Sequence, residues 1–395
     1  MHLPRPALLI LSISALILAL SLGVRHSFGL YLEPMSQQFG WGREVFALAI
    51  AIQNLLWGLA QPITGALADR FGTAKAVVIG GALYALGLAL MAVSDSPSSL
   101  YLSAGVFIGL GLSGTSFSVL LAAVGRAVPE QHRSFAMGIA AAAGSFGQFA
   151  MLPLALGLNH NFGWSQALLL LALAIALLLP LGLMLGQKPT TTTQSANARV
   201  ALAQIKRHSG FWLLALGFFV CGFQVVFIGI HLPAYLVDEG LNASIATTVL
   251  ALVGLFNIAG TYLAGFLGGR FCKTTLLCGL YALRAVVIGL FFYLPTSEVS
   301  AYLFGIAMGL LWLSTVPLTN GTVATFFGVA NLSMLGGIVF LWHQLGSFLG
   351  GWLGGYAYDQ TGSYDFIWQA SILLSFVAVA LNAPIREKSH LCSKP

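Results

Sequence analysis

Gly65-Ala-Leu-Ala-Asp69-Arg70-Phe71-Gly72 and Gly265-Phe-Leu-Gly-Gly-Arg270-Phe271 close two long apolar runs at corresponding places along the chain. Glycine, arginine and phenylalanine return at the same spacing, each time where hydrophobic sequence meets a polar break. Shifting the sequence against itself by 200 positions extends the match in both directions. Gly29 meets Gly229, Gly40 meets Gly240, Leu55 meets Leu255 and Gly109 meets Gly309. One residue of slippage then pairs Gly138-Ile139 with Gly337-Ile338, Gly147 with Gly346 and Gly163 with Gly362. The chain is therefore an internal repeat, and its halves are expected at 1–187 and 208–395, joined by a polar linker at 188–207 that contains the run Thr190 to Thr193.

The repeating element is apolar throughout. With 58% hydrophobic and 7% charged residues and a mean hydropathy of +0.90, the 395-residue chain has too much apolar surface for a water-soluble domain. A bilayer core about 30 Å thick needs roughly 20 apolar residues per helix. Twelve such runs are present, near 7–31, 45–68, 74–93, 100–123, 135–156, 164–186, 211–236, 244–268, 274–294, 299–321, 332–356 and 366–383. The sequence thus predicts an all-α membrane protein of twelve transmembrane helices in two pseudo-symmetric six-helix bundles, embedded in the lipid bilayer.

Formal net charge is +6, yet the basic residues do not form a patch suited to nucleic acid. They fall in every second loop, as at Arg70, Lys75, Arg126, Arg133, Arg270 and Lys273, while the opposite loops hold Arg43 alone. Both termini are accordingly expected on the cytoplasmic side. The first run has no small-residue cleavage site after a short core and reads as a retained helix. A bacterial inner membrane is the expected location. Cys221, Cys272, Cys278 and Cys392 have neither metal-ligand spacing nor an extracellular disulfide pattern, so plain thiols are expected and no metal site. No phosphate-cradling glycine loop with Lys and Ser is present, which argues against an ATP-driven pump, and no cofactor is expected. No nucleophile and base pairing suggests an enzyme.

The segment Gly65 to Gly72 resembles the signature of the major facilitator superfamily, in the right place after the second helix. Here Thr73 and Ala74 stand where the family usually has basic residues, and the second copy lacks the aspartate. The resemblance implies that Asp69 and Arg70, with Arg270 in the second copy, hold a cytoplasmic gate against the end of helix 11; a positive-inside anchor is the alternative role for Arg70. Phe39-Gly-Trp41-Gly-Arg43-Glu44, His231-Leu-Pro-Ala-Tyr235 and Tyr358-Asp359-Gln-Thr-Gly362-Ser-Tyr364 are similar to the branch of monocarboxylate porters and oxalate/formate exchangers. Helix 8 carries Gly260-Thr261 where that branch often has Gly-Arg, and a helix 11 lysine is missing.

Every Asp and Glu falls in a loop or at a helix end, so the membrane interior holds Arg25 and Arg284 without a carboxylate. A mid-membrane arginine costs about 2.5–3.5 kcal/mol on insertion scales and seeks a partner, which an anionic solute can supply. Arg25 is expected either to line the solute site or to pair with Glu33 or Glu44; Arg284 reads as a buried structural arginine. Further polar candidates in the apolar helices are His26, Asn54, Trp57, Gln148, Gln224, His231, Trp312 and His343, each able to line a cavity or to bond neighbouring helices. A coupling proton would have to use His26, His231 or His343. Repeats of this kind place a solute site near the midplane with alternating access. The expectation is a secondary active or facilitative transporter of a small organic anion, a monocarboxylate-like metabolite. The alternative is an exporter of neutral or amphipathic compounds using Trp57, Trp312 and Trp342, and a transporter-like sensor is a third, weaker reading.

Overall fold

The computed structural model describes residues 4–41, 43–186 and 198–387, and these are helical almost throughout. Among them the spans are α1 (Arg5–His26), α2 (Arg43–Phe71), α3 (Thr73–Ala92), α4 (Pro97–Ala127), α5 (130–162), α6 (164–184), α7 (Ser209–Asp238), α8 (Ala243–Gly268), α9 (Lys273–Tyr293), α10 (Glu298–Phe327), α11 (Leu332–Thr361) and α12 (Asp365–Asn382). A shorter helix, Gly29–Phe39, follows α1, and another, Ala198–Lys206, precedes α7.

The Glu130–Met184 stretch of 55 residues would reach about 80 Å as one helix, far more than a bilayer core. It is folded at Gly163, whose φ of 78° and ψ of 163° are non-helical. The limbs run in opposite senses: Gly147 packs on α1 at Ala19 and Asn159 Nδ2 donates to Leu30 O, whereas Ser165 Oγ donates to Ala92 O and Gly182 packs on Val77. Gly362 likewise has a positive φ (69°) between α11 and α12. A side chain with a Cβ rarely tolerates it.

Two compact units arise. The first comprises Met1–Pro129, Ala143–Arg199 and Val329–Ile338; the second comprises Glu130–Ala142, Val200–Gly328 and Val339–Pro395. The repeat seen in the sequence returns inside them as repeated close packing. Gly147 lies against the backbone of Ala19 and Gly346 against that of Phe219, each so tightly that an added Cβ would overlap it. Gly109 packs on the backbone of Gln53 and Gly309 on that of Val253. Helix packing within a bilayer depends on such close approach, since burial of apolar surface offers little driving force there.

Both units contain a broken helix. α4 is interrupted at Ser116, which is extended (φ −114°, ψ −173°), and α10 at Trp312–Ser314. Broken turns free backbone groups that cannot be left bare in a membrane. In the second unit Asn257 Oδ1 accepts from Leu313 N at 3.0 Å. In the first, Trp57 Nε1 donates to Ser116 Oγ at 3.0 Å, and Gln61 Nε2 donates to Ser113 O at 2.7 Å.

The expectation of plain thiols holds for Cys221 and Cys278 and fails at Cys272, which is disulfide-bonded. The chain returns to this spot after α12: Glu387 accepts from Thr274 N at 2.6 Å and pairs with Lys273 Nζ at 3.3 Å, bringing later sequence beside Cys272. Cys392, Glu33 and Glu44 lie outside the residues or side chains described.

Candidate functional site

In the first unit, α1 carries Arg25 at its far end, half-buried, with Nη2 donating to Asn54 Oδ1 of α2 at 3.0 Å. Among the described residues its Nε is buried without an acceptor and Arg25 forms no ion pair. A guanidinium has five donors in a fixed fork, so one neutral amide leaves most of its capacity open. His26, one residue on, is exposed and donates Nδ1–H to Leu22 O of its own helix at 2.8 Å. Gln148 on α5 is buried and its Nε2 has no acceptor among the described residues. Trp57 is spent on the α4 break, its indole N–H shared between Ser116 Oγ and Gln61 Oε1.

The second unit handles its arginine differently. Arg284 of α9 is fully buried and donates to Leu311 O, Trp312 O and Gln224 Oε1. The first two acceptors are carbonyls at the α10 break, so the guanidinium fork caps the broken turn. Gln224 is consumed as well, with Nε2 donating to Ser371 O and Ser375 Oγ on α12. Trp312, 7% exposed, contributes its carbonyl to Arg284. His231 donates Nε2–H to Gly351 O at 2.8 Å and sits against Tyr364 and Phe227. His343 is buried on α11 between Phe218 and Phe340; Nδ1 donates to Gln344 Oε1 at 3.1 Å, and Nε2 has no hydrogen-bond partner among the described residues.

At the basic-loop end of the first unit, Asp69 closes α2 with a side chain only 1% exposed. Arg126 Nη1 of α4 donates to its Oδ1 at 2.7 Å, Ser333 N to Oδ1 at 3.2 Å and Met334 N to Oδ2 at 2.8 Å. Ser333 and Met334 lie in the first turn of α11, where backbone N–H groups lack intrahelical acceptors and a carboxylate is favoured by the helix dipole. Arg126 also reaches Thr73 Oγ1 at 2.9 Å, which ties in α3. Arg70 is exposed beside the Phe71 ring at 5.1 Å, and Arg270 beside the Phe266 ring at 4.1 Å.

In the sequence Arg126 reads only as one of the basic residues that orient the chain, because a cation at a helix end serves that role whether or not it also pairs with a carboxylate. The buried seams Ser21–Thr115 (2.8 Å) and Cys221–Thr315 (3.2 Å) were missed too. Their signal was available: the repeat offset places Ser21 on Cys221 and Thr115 on Thr315.

The family model described as Major Facilitator Superfamily matches residues 11–351. The chain belongs to the major facilitator superfamily. As a facilitator it is a multi-pass membrane transporter rather than an enzyme. It is 29% identical over 386 residues to monocarboxylate transporter 13 of Rattus norvegicus, covering 93% of this chain and 86% of that one. It is 24% identical over 383 residues to the oxalate:formate antiporter of Oxalobacter formigenes, covering 94% and 89%. Among solved structures, the fucose:proton symporter FucP of E. coli superposes with a TM-score of 0.74 at 18% identity, covering 97% of this facilitator and all of that chain. That likeness concerns the twelve-helix fold alone.

Proposed function

We propose that this facilitator moves a small organic anion, of monocarboxylate type, across a bacterial inner membrane by alternating access, with both termini on the cytoplasmic side. The observation that carries the reading is Arg25: a half-buried guanidinium in an apolar span, held among the described residues by one neutral amide, with Nε unmatched there. A carboxylate can accept two parallel N–H bonds from such a fork. Arg284 is not a rival, because its donors already serve three acceptors in the protein. Asn54 would orient Arg25, and Gln148 Nε2 offers a second unmatched donor on the same unit. Relatives named for monocarboxylates and for oxalate and formate support the substrate class.

The halves 1–187 and 208–395, linked through 188–207, are proposed as the bodies that alternate. Asp69 would be the ionic clasp of the cytoplasmic gate, with Arg70 and Arg270 as rim cations. A coupling proton would use His343, whose buried Nε2 has no close acceptor or donor among the described residues, before His26 or His231, which are bonded to carbonyls. The alternative of neutral amphipathic cargo draws little from the tryptophans: Trp57 and Trp312 are each 7% exposed, and the indole N–H of Trp57 is occupied.

The test is counterflow of formate, lactate and oxalate in vesicles containing the purified protein, comparing wild type with Arg25→Gln. Losing charge-assisted hydrogen bonds worth about 1.5–3 kcal/mol should lower carboxylate flux roughly tenfold or more, with little change in melting midpoint. Undiminished carboxylate flux in Arg25→Gln, or transport of neutral drugs in place of carboxylates, would overturn the assignment.

A further inference from the structure

A groove of about 270 Å³ runs along the first unit where α2, α3 and α4 meet. It exists because small residues line its floor: Ala76, Gly80 and Gly114 bring α3 and α4 into backbone contact, leaving a channel above them. Leu67, Leu83 and Leu110 form apolar walls. The floor's two hydroxyls, Thr64 Oγ1 and Ser113 Oγ, bond each other at 2.8 Å, so they make no polar demand on an occupant.

One end of the groove is cationic. Lys75 lines it from the first turn of α3, a turn without an acidic residue, so the helix dipole adds to its field. Lys75 Nζ lies 5.7 Å from the Phe71 ring and Arg70 lies 5.1 Å from the same ring. Both are exposed and neither forms an ion pair among the described residues. Both belong to the basic loops, where anionic headgroups meet a membrane protein.

The repeat supplies an internal control. At the equivalent positions of the second half, Lys75 is replaced by Thr275, Ala76 by Leu276, Gly80 by Leu280 and Ser113 by Leu313. The ancestral pattern thus admits bulky residues that would fill the groove and a neutral residue at its mouth; the first half has neither. A groove of the second unit, about 420 Å³ along Leu255, Phe256 and Tyr262, has no cation in its lining.

We propose that the groove between α2, α3 and α4 binds one acyl chain of an anionic phospholipid, with the lipid phosphate held by Lys75 and Arg70. The apolar channel demands a hydrocarbon chain, and the two unpaired cations at its end demand a negative headgroup.

The experiment is native mass spectrometry of the full chain in detergent, titrated with phosphatidylglycerol, with phosphatidylcholine of the same chains, and with glycerol phosphate. Wild type should retain phosphatidylglycerol about thirtyfold more than phosphatidylcholine, the ratio expected for two basic residues at about 1 kcal/mol each, and should not retain glycerol phosphate. Lys75→Thr should cut the preference about fivefold, Lys75→Arg should keep it, and Ala60→Phe, which narrows the channel that Ala60 lines, should lower retention of both lipids. Lys75 is exposed, so its variants test the idea even if Ala60→Phe proves unstable. Equal retention of the two lipids by wild type, or an unchanged ratio in Lys75→Thr, would reduce the groove to ordinary lipid-facing surface. Retention of glycerol phosphate alone would show an ion site without a chain and would also overturn it.

Discussion

Position 84 holds tyrosine and position 284, its counterpart under the repeat, holds arginine. In the first unit Tyr84 donates to Ser21 O at 3.1 Å, Ser21 bonds Thr115, and neutral side chains serve the break in α4. In the second unit Arg284 reaches Gln224 and the carbonyls of the α10 break, and Cys221 takes the place of Ser21 against Thr315. The first unit's own membrane arginine, Arg25, has a single side-chain acceptor among the described residues. Residue type alone therefore does not assign a mid-membrane arginine to cargo or to scaffold. The supply of acceptors around it does: where broken backbone provides carbonyls, the cation becomes a brace, and where it does not, the cation stays available.

The comparison is broken most sharply at Arg284. Replacing it with Met should strand three buried acceptors and cost about 3–5 kcal/mol of stability, read as a large fall in melting midpoint in detergent. Arg284→Lys should recover little, because a single ammonium cannot reproduce the planar fork. A smaller effect is expected at Asp69. Asp69→Asn keeps one acceptor oxygen but loses its charge, so the clasp on α11 should weaken by about 1–3 kcal/mol, and a double-mutant cycle with Arg126→Met should show coupling above about 0.5 kcal/mol. Additivity of those two changes would mean the pair does not act together.

At Arg25 the expected signature is the reverse of that at Arg284. Arg25→Lys keeps the charge without the fork, so carboxylate flux should fall about three- to tenfold while the melting midpoint barely moves. A collapse in stability instead would place Arg25 with the braces. The gentlest change is Cys221→Ser, which recreates in the second unit the hydroxyl pair of the first; stability should change by less than about 1 kcal/mol in thermal melts.

Much of the architecture could be read from the sequence because the repeat is written in residues with strict backbone demands. Gly40 and Gly240 share positive φ, as do Gly163 and Gly362, and Gly147 and Gly346 each admit a neighbouring helix backbone. These matches fix turns and contacts that tolerate no Cβ, so they survive where side chains have diverged. Polar candidates were harder to assign. Gln224 and His231 share a helical stripe, yet Gln224 is spent on α12 and Arg284 while His231 bonds α11. A stripe indicates direction along one helix; it does not reveal which carbonyls or hydroxyls a neighbouring helix presents. Asn257 illustrates the same limit, since its role depends on α10 being broken opposite it, and the run of residues there reads as continuous helix.

The single-residue reversal at Gly163 has a consequence for how the protein is made. With α5 and α6 joined by one left-handed glycine, there is almost no hydrophilic loop to carry across the membrane between them. The two limbs are therefore predicted to enter the bilayer together during synthesis, as a helical hairpin. Their insertion depends on their combined apolar content, and the polar residues of the α5 limb can be carried in by the leucine-rich α6 limb that follows it.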